Sequence, residues 1–95
     1  MFKELDPLLH SELRLAIISI LAGVESADFT YMKGVTNSTA GNLSVQIDKL
    51  EKAGYITVKK GYNARKPQTT CSLTERGRDA LAAYVEALKS FLPEL

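Results

Sequence analysis

The stretch TAGNLSVQIDKLEKAGYITVK, Thr39 to Lys59, changes its hydrophobic period partway along. Up to Leu50 the apolar residues Leu43, Ile47 and Leu50 recur at three- and four-residue spacing, the inward stripe of a helix. Thr39 offers a side-chain oxygen to cap its start. Gly54 suits the left-handed position that closes it. After Gly54 the period becomes two: Tyr55, Ile56, Thr57, Val58 and Lys59 are alternating, β-branched or aromatic, the pattern of a strand. A helix therefore hands over directly to a strand.

On the N-terminal side, Asp28 caps a short helix carrying Phe29, Met32 and Val35, and Asn37 is a good residue on which to leave it. About three residues then separate it from the next helix, a helix-turn-helix spacing. Further back, Asp6 and Pro7 start a first helix expected to run from about Pro7 to Ala22, ended by Gly23. Its stripe is Leu9, Leu13, Ala16, Ile17, Ile20 and Leu21. With Leu15 and Ile18 added, its second half is apolar nearly all round, more than one small core is expected to cover. On the C-terminal side, Gly61 to Pro67 reads as a loop and Gln68 to Leu73 as a second strand, so the hairpin has a long, basic tip. Thr74 caps a last helix whose stripe is Leu81, Tyr84, Val85, Leu88 and Phe91, with Pro93 beyond its end. The fold expected is mainly α with a small β-hairpin. It is a winged helix-turn-helix of three helices, a two-stranded wing and a long C-terminal helix, in one domain over residues 1–95.

Ninety-five residues, 45% hydrophobic and 24% charged, fit one globular domain and exclude disordered, collagenous or low-complexity chains. The net charge of +1 conceals an asymmetry. Residues 1–28 carry Lys3 and Arg14 against five acids, a balance of −3. Residues 29–66 carry seven bases against Asp48 and Glu51, a balance of +5. Residues 67–95 carry three bases against four acids, a balance of −1. A concentrated basic segment suits a polyanionic partner. No apolar run approaches the roughly 20 residues that span a membrane. The acids around Lys3 do not suit a signal peptide, so a cytoplasmic location is expected. The single cysteine, Cys71, can form no internal disulfide and reads as a small packing residue.

Four segments resemble small MarR-like and ArsR-like winged-helix transcription regulators. Thr39 to Ser44 is similar to the start of their recognition helix, and Leu50 to Ile56 to their helix-to-wing junction. Leu73 to Arg78 is similar to the motif opening their last helix, and Leu9 to Ile17 to their first helix. The resemblance extends from about residue 5 to residue 92. It departs at Ser38, where those regulators carry an apolar residue, so that either Ser38 or Thr39 can cap the third helix.

On that helix the face away from the stripe carries Gly41, Asn42, Val45, Asp48, Lys49 and Lys52, flanked by Ser44 and Gln46. Its N-terminal half is small and polar, which suits entry into a major groove. Thr39, Gly41, Asn42, Ser44, Val45 and Lys49 are the candidate DNA-binding residues. Asn42 can pair with an adenine edge, and Val45 can touch a thymine methyl. The amides at Thr39 and Ala40 can meet a phosphate. Gly41 costs a helix about 1 kcal/mol relative to Ala, which close approach to a partner or close packing within the domain would explain. The wing supplies Lys59, Lys60, Asn63, Arg65 and Lys66. Arg65 is the foremost candidate for a minor-groove or phosphate contact. Arg76 and Arg78 are either further backbone contacts or partners in surface salt bridges.

No spacing of acid, thiol and histidine marks a catalytic site, His10 being the only histidine, and no cofactor or metal motif occurs. The resemblance implies a homodimer built by the first and last helices, with Leu9, Leu13, Ile17, Tyr84, Leu88 and Phe91 as candidate interface residues. A dimer would present two recognition helices to a palindromic site. A small-molecule effector, where one exists, is expected between the first helix and the reading head. The expected function is a sequence-specific double-stranded DNA-binding regulator, a repressor. The alternative is a winged-helix protein-interaction module without specific DNA binding.

Overall fold

The computed structural model describes residues 1–92; Pro93, expected beyond the last helix, lies outside them. The order is α1 (Glu12–Ala22), β1 (Ala27–Asp28), α2 (Phe29–Thr36), α3 (Ala40–Lys52), β2 (Ile56–Asn63), β3 (Lys66–Leu73) and α4 (Glu75–Lys89). β3 is the centre of a three-stranded antiparallel sheet in the order β1-β3-β2. The winged helix-turn-helix expected from the sequence is present, with one strand more than the hairpin requires.

That extra strand is two residues long. Ala27 pairs with Cys71 and Asp28 with Thr70. Asp28 serves two elements, because its carboxylate also accepts the Tyr31 amide at 2.7 Å and caps α2.

α1 starts later than Pro7. The Asp6 carboxylate accepts the Leu8 amide at 2.9 Å, and the Asp6 carbonyl accepts the amides of Leu9 and His10. Residues 7–10 thus close a separate turn. Ser11 is extended (φ −150°, ψ 126°), which interrupts the helix and drops Leu9 into the core.

α1 lies centrally, against α2, α3, α4 and β3. Ile17, Ile18 and Leu21 are buried, and Leu13, Leu15, Ala16 and Ile20 are half-buried. The domain therefore covers the wide apolar surface of this helix from within, contrary to expectation, because neighbours surround it on four sides. The core is completed by Leu9, Met32, Leu43, Ile47, Leu50, Ile56, Cys71 and Tyr84. On α4, Tyr84 and Ala87 face inward. Val85, Leu88 and Phe91, expected in the inward stripe, are 42%, 39% and 42% exposed.

The helix ends follow their caps. Asn37, left-handed at φ 53°, closes α2, with its amide on the Gly34 carbonyl and that of Ser38 on Lys33. Thr39, not Ser38, caps α3 by accepting the Asn42 amide at 3.1 Å. The Ser38 hydroxyl pairs instead with Thr36 Oγ1 at 2.8 Å, which satisfies a polar side chain at the turn between the two helices. At the other end, Gly54 (φ 81°) donates to the Glu51 carbonyl and Tyr55 to Leu50, the paired reversal that closes many helices.

The junction between α3, the wing and α4 converges on Tyr55. Its carbonyl accepts the Thr74 amide at 3.0 Å, and Thr74 caps α4 by accepting the Gly77 amide at 3.0 Å. A Cβ added at Gly77 would lie 2.1 Å from the Tyr55 carbonyl oxygen, so only glycine lets α4 start this close to the wing. The Tyr55 hydroxyl donates to Asp6, which holds the N-terminal turn against the same junction.

Candidate nucleic-acid interface

The buried stripe of α3 (Leu43, Ile47, Leu50) turns the remaining helix surface outward. Thr39, Gly41, Asn42, Ser44, Val45 and Lys49 are all exposed, Val45 by 51%. A Cβ at Gly41 would meet nothing within 4 Å. Packing inside the domain therefore does not require this glycine, and its small size matters only toward the outside. Of the two basic residues at the C-terminal end of the helix, Lys52 is paired with Asp48 at 2.8 Å. That carboxylate raises the Lys52 pKa through a hydrogen bond and its charge. Lys49 forms no ion pair among the described residues.

The two flanks of α3 differ. On one, Ser44, Ile47, Asp48 and Glu51 border an open groove whose far wall is Val58, Lys60 and Thr69 of the wing. On the other, Asn42 borders a cleft of about 570 Å³ walled by Ser11–Leu13 and Ala16 of α1 and its approach and by Val35–Ser38. Here the Gln46 amide nitrogen donates to Asn42 Oδ1 at 2.9 Å, and the Gln46 amide oxygen accepts from the Arg14 guanidinium. The same guanidinium donates to the Leu8 carbonyl at 2.6 Å.

The wing differs from its expected form. Pairing continues without a break to Asn63 opposite Lys66, so the segment Gly61 to Pro67 is not a loop. The ribbon closes on the two residues Ala64 and Arg65, both left-handed at φ 51° and φ 70°. That is the backbone twist a two-residue hairpin needs, here met without the usual Asn-Gly. Without a glycine at either position, Ala64 and Arg65 carry no local turn signal. Cross-strand partners share a face. The core face, Ile56 with Leu73 and Val58 with Cys71, runs outward into Lys60 with Thr69 and Tyr62 with Pro67. The other face carries Lys59, Asn63 and Lys66. Arg65 stands at the tip. All five candidate wing residues are exposed, and Tyr62 is 80% exposed.

Arg76 places its guanidinium carbon 6.0 Å over the Tyr55 ring, close to Gly54. Arg78 is exposed, and neither arginine forms an ion pair among the described residues. His10 Nδ1 lies 3.1 Å from the Tyr84 hydroxyl. Cys71 is fully buried, and burial pushes its thiol up to about 11.

The candidate dimer residues divide. Leu9, Ile17 and Tyr84 are buried in the core of one chain, at 0%, 0% and 6% exposure, so their side chains are not available to a partner. Leu13 is half-buried. Leu88 is exposed beside Val85 on the outer side of α4, and Phe91 and Leu92 are exposed just past its end. Phe91 stacks on Phe2 with ring centroids 4.7 Å apart.

A helix-turn-helix with an outward-facing second helix and a basic ribbon beside it defines a class of DNA-binding modules. Residues 13–92 match the winged helix DNA-binding domain family, and the chain belongs to it. An uncharacterized protein of Methanocaldococcus jannaschii is 34% identical over 76 residues, 80% of this chain and 83% of that one. A transcriptional regulator homologue from Pyrococcus horikoshii has a similar structure, with a TM-score of 0.84 at 28% identity over 93% of this chain and 89% of that one. A mutant MarR from E. coli, complexed with operator DNA, shares the fold with a TM-score of 0.75 at 16% identity. There the match covers 93% of this chain and 62% of MarR. Among the described residues no helix is long and apolar enough to cross a membrane.

Proposed function

We propose that this chain is a transcription regulator that binds double-stranded DNA sequence-specifically as a homodimer, and that it acts as a repressor. The observation that carries this reading is the exposed N-terminal half of α3. Gly41, Asn42, Ser44 and Val45 form a small, polar surface that no neighbouring element covers, beside a ribbon carrying Lys59, Lys60, Arg65 and Lys66. A surface of that width fits a major groove, and the ribbon reaches phosphates or the minor groove alongside it. Thr39 and Lys49 would hold the helix to the backbone on either side of the reading residues, and Asn63 would add a wing contact.

The homodimer reading rests on the outer side of α4, where Val85 and Leu88 are exposed, with Leu92 and the stacked Phe2 and Phe91 exposed just past the helix end. Leu13 would join from α1. An effector would occupy the cleft between α1 and the helix-turn-helix turn, where it would reach Asn42 directly.

Selection of bound DNA from a random duplex pool at moderate salt tests the reading. A palindromic motif is the expected result, with affinity falling steeply as salt rises because several phosphates are neutralised. Weak, motif-free binding would instead favour a protein-docking role for the same fold.

A further inference from the structure

The hydrogen-bond chain from Arg14 to Asn42 has a direction, and that direction is fixed by chemistry. A guanidinium can only donate. Whatever amide faces Arg14 must therefore present its oxygen, and Gln46 does so. The Gln46 nitrogen is then left to point along the helix, where it can only donate. Asn42, one turn earlier, must answer with its oxygen, and it does so at 2.9 Å. Arg14 is itself held by the Leu8 carbonyl, within the turn that Asp6 closes. The side-chain nitrogen of Asn42 donates to no described residue, and one lone pair of its oxygen is unused.

We infer that Arg14, on α1, and Gln46 are positioning residues for base reading: together they fix which way round the Asn42 amide is presented to DNA. The inference rests on the sequence-specific reading proposed above. The edge left free on Asn42 is a donor beside an acceptor, the complement of adenine N7 and N6 in the major groove. Bidentate pairing requires the two in one order. An amide turned over would set donor against donor and acceptor against acceptor. Arg14 and Gln46 supply the order before DNA arrives, so it need not be selected on binding. Arg14 does this from outside the reading helix.

The experiment uses the full chain and the motif selected from the random pool, with every base pair of that motif varied singly. Affinities are measured for wild type, Asn42→Ala, Arg14→Ala, Arg14→Lys, Gln46→Ala and Gln46→Glu, and thermal stability is measured alongside. Asn42→Ala should flatten discrimination at one A·T position per half-site. Arg14→Ala and Gln46→Ala should lose about tenfold in discrimination at that same position, with the other positions and the salt slope retained. Arg14→Lys, which still donates, should recover part of it.

Gln46→Glu is the decisive variant. A carboxylate strengthens the pair with Arg14 but offers Asn42 only an acceptor, which turns the Asn42 amide round. Stability should hold while discrimination at that one position collapses. Its added negative charge lowers affinity for all sequences alike and leaves the ratio between bases as the readout. A role confined to tying α1 to α3 would instead leave the Gln46→Glu ratio intact. That result, or an Asn42→Ala profile flattened nowhere, overturns the inference while the wild-type motif stands. Absence of any wild-type motif overturns the function proposed above and this inference with it.

Discussion

Arg65 occupies a backbone conformation that a side chain makes costly. It and Ala64 are both left-handed at the tip of a two-residue turn, where non-glycine residues cost about 1 kcal/mol each. Strain of this kind persists where a side chain is needed for something else. Arg65→Gly should therefore raise the melting temperature by a few degrees while weakening duplex binding and reducing its salt slope by about 1 per protomer. An unchanged duplex affinity would remove Arg65 from the interface. Two other single groups set a response to alkali. Burial pushes the Cys71 thiol from its ordinary 9 up to about 11, and a hydrogen bond to Asp6 raises the Tyr55 phenol. In both, the folded chain holds the proton more tightly than the unfolded one. The Cys71 contribution is complete below about pH 9 and is lost as pH rises toward 11, and that of Tyr55 is lost as pH rises above its ordinary 10. Denaturant unfolding between pH 9 and 11 should show stability falling, with a shallower fall in Cys71→Ala.

Where elements meet, the tightest joint is α4 against the wing base. Gly77→Ala would set a methyl against the Tyr55 carbonyl, and the helix must move away to admit it. The expected loss is about 2 kcal/mol, read as a fall in melting temperature of about 10 °C. The same junction shows what a sequence reveals at this scale. Asp28, Thr39, Gly54 and Thr74 mark helix ends because a cap bonds within three or four residues of itself, so the signal is local. β1 gave no signal, because two residues carry no period and its partner lies some forty positions away. The Arg14–Gln46 pair is equally silent: the two lie 32 positions apart, and neither residue type marks a site. The outward surface of α3 is legible from its stripe, since burying Leu43, Ile47 and Leu50 dictates what faces outward. The wing residues were legible in kind but not in placement, because a turn without glycine reads as loop.

For the molecule as a whole, hydrophobic patterning overstated what a partner must cover. The apolar surface of α1 counts as excess only until four neighbours are placed around it, and Leu9, Ile17 and Tyr84 then belong to one chain's core. What remains exposed for the second copy proposed above is the outer side of α4. Leu88→Asp should leave the secondary structure intact and shift sedimentation toward the monomer, with duplex affinity falling as the paired reading heads separate. A wild-type chain that sediments as a monomer at all concentrations would remove the dimer. The wing has a different consequence. Its inner half is anchored by Ile56, Val58, Cys71 and Leu73, whereas Lys59 to Pro67 are exposed throughout. Its backbone amides should accordingly fall into two classes of hydrogen exchange. Those near Val58 and Cys71 should exchange only when the chain unfolds globally, and those near the tip by local fraying, orders of magnitude sooner. If the chain binds duplex as proposed, bound DNA would erase that difference: the free protein would carry its basic ribbon half-loose and defer the ordering of the tip to the encounter.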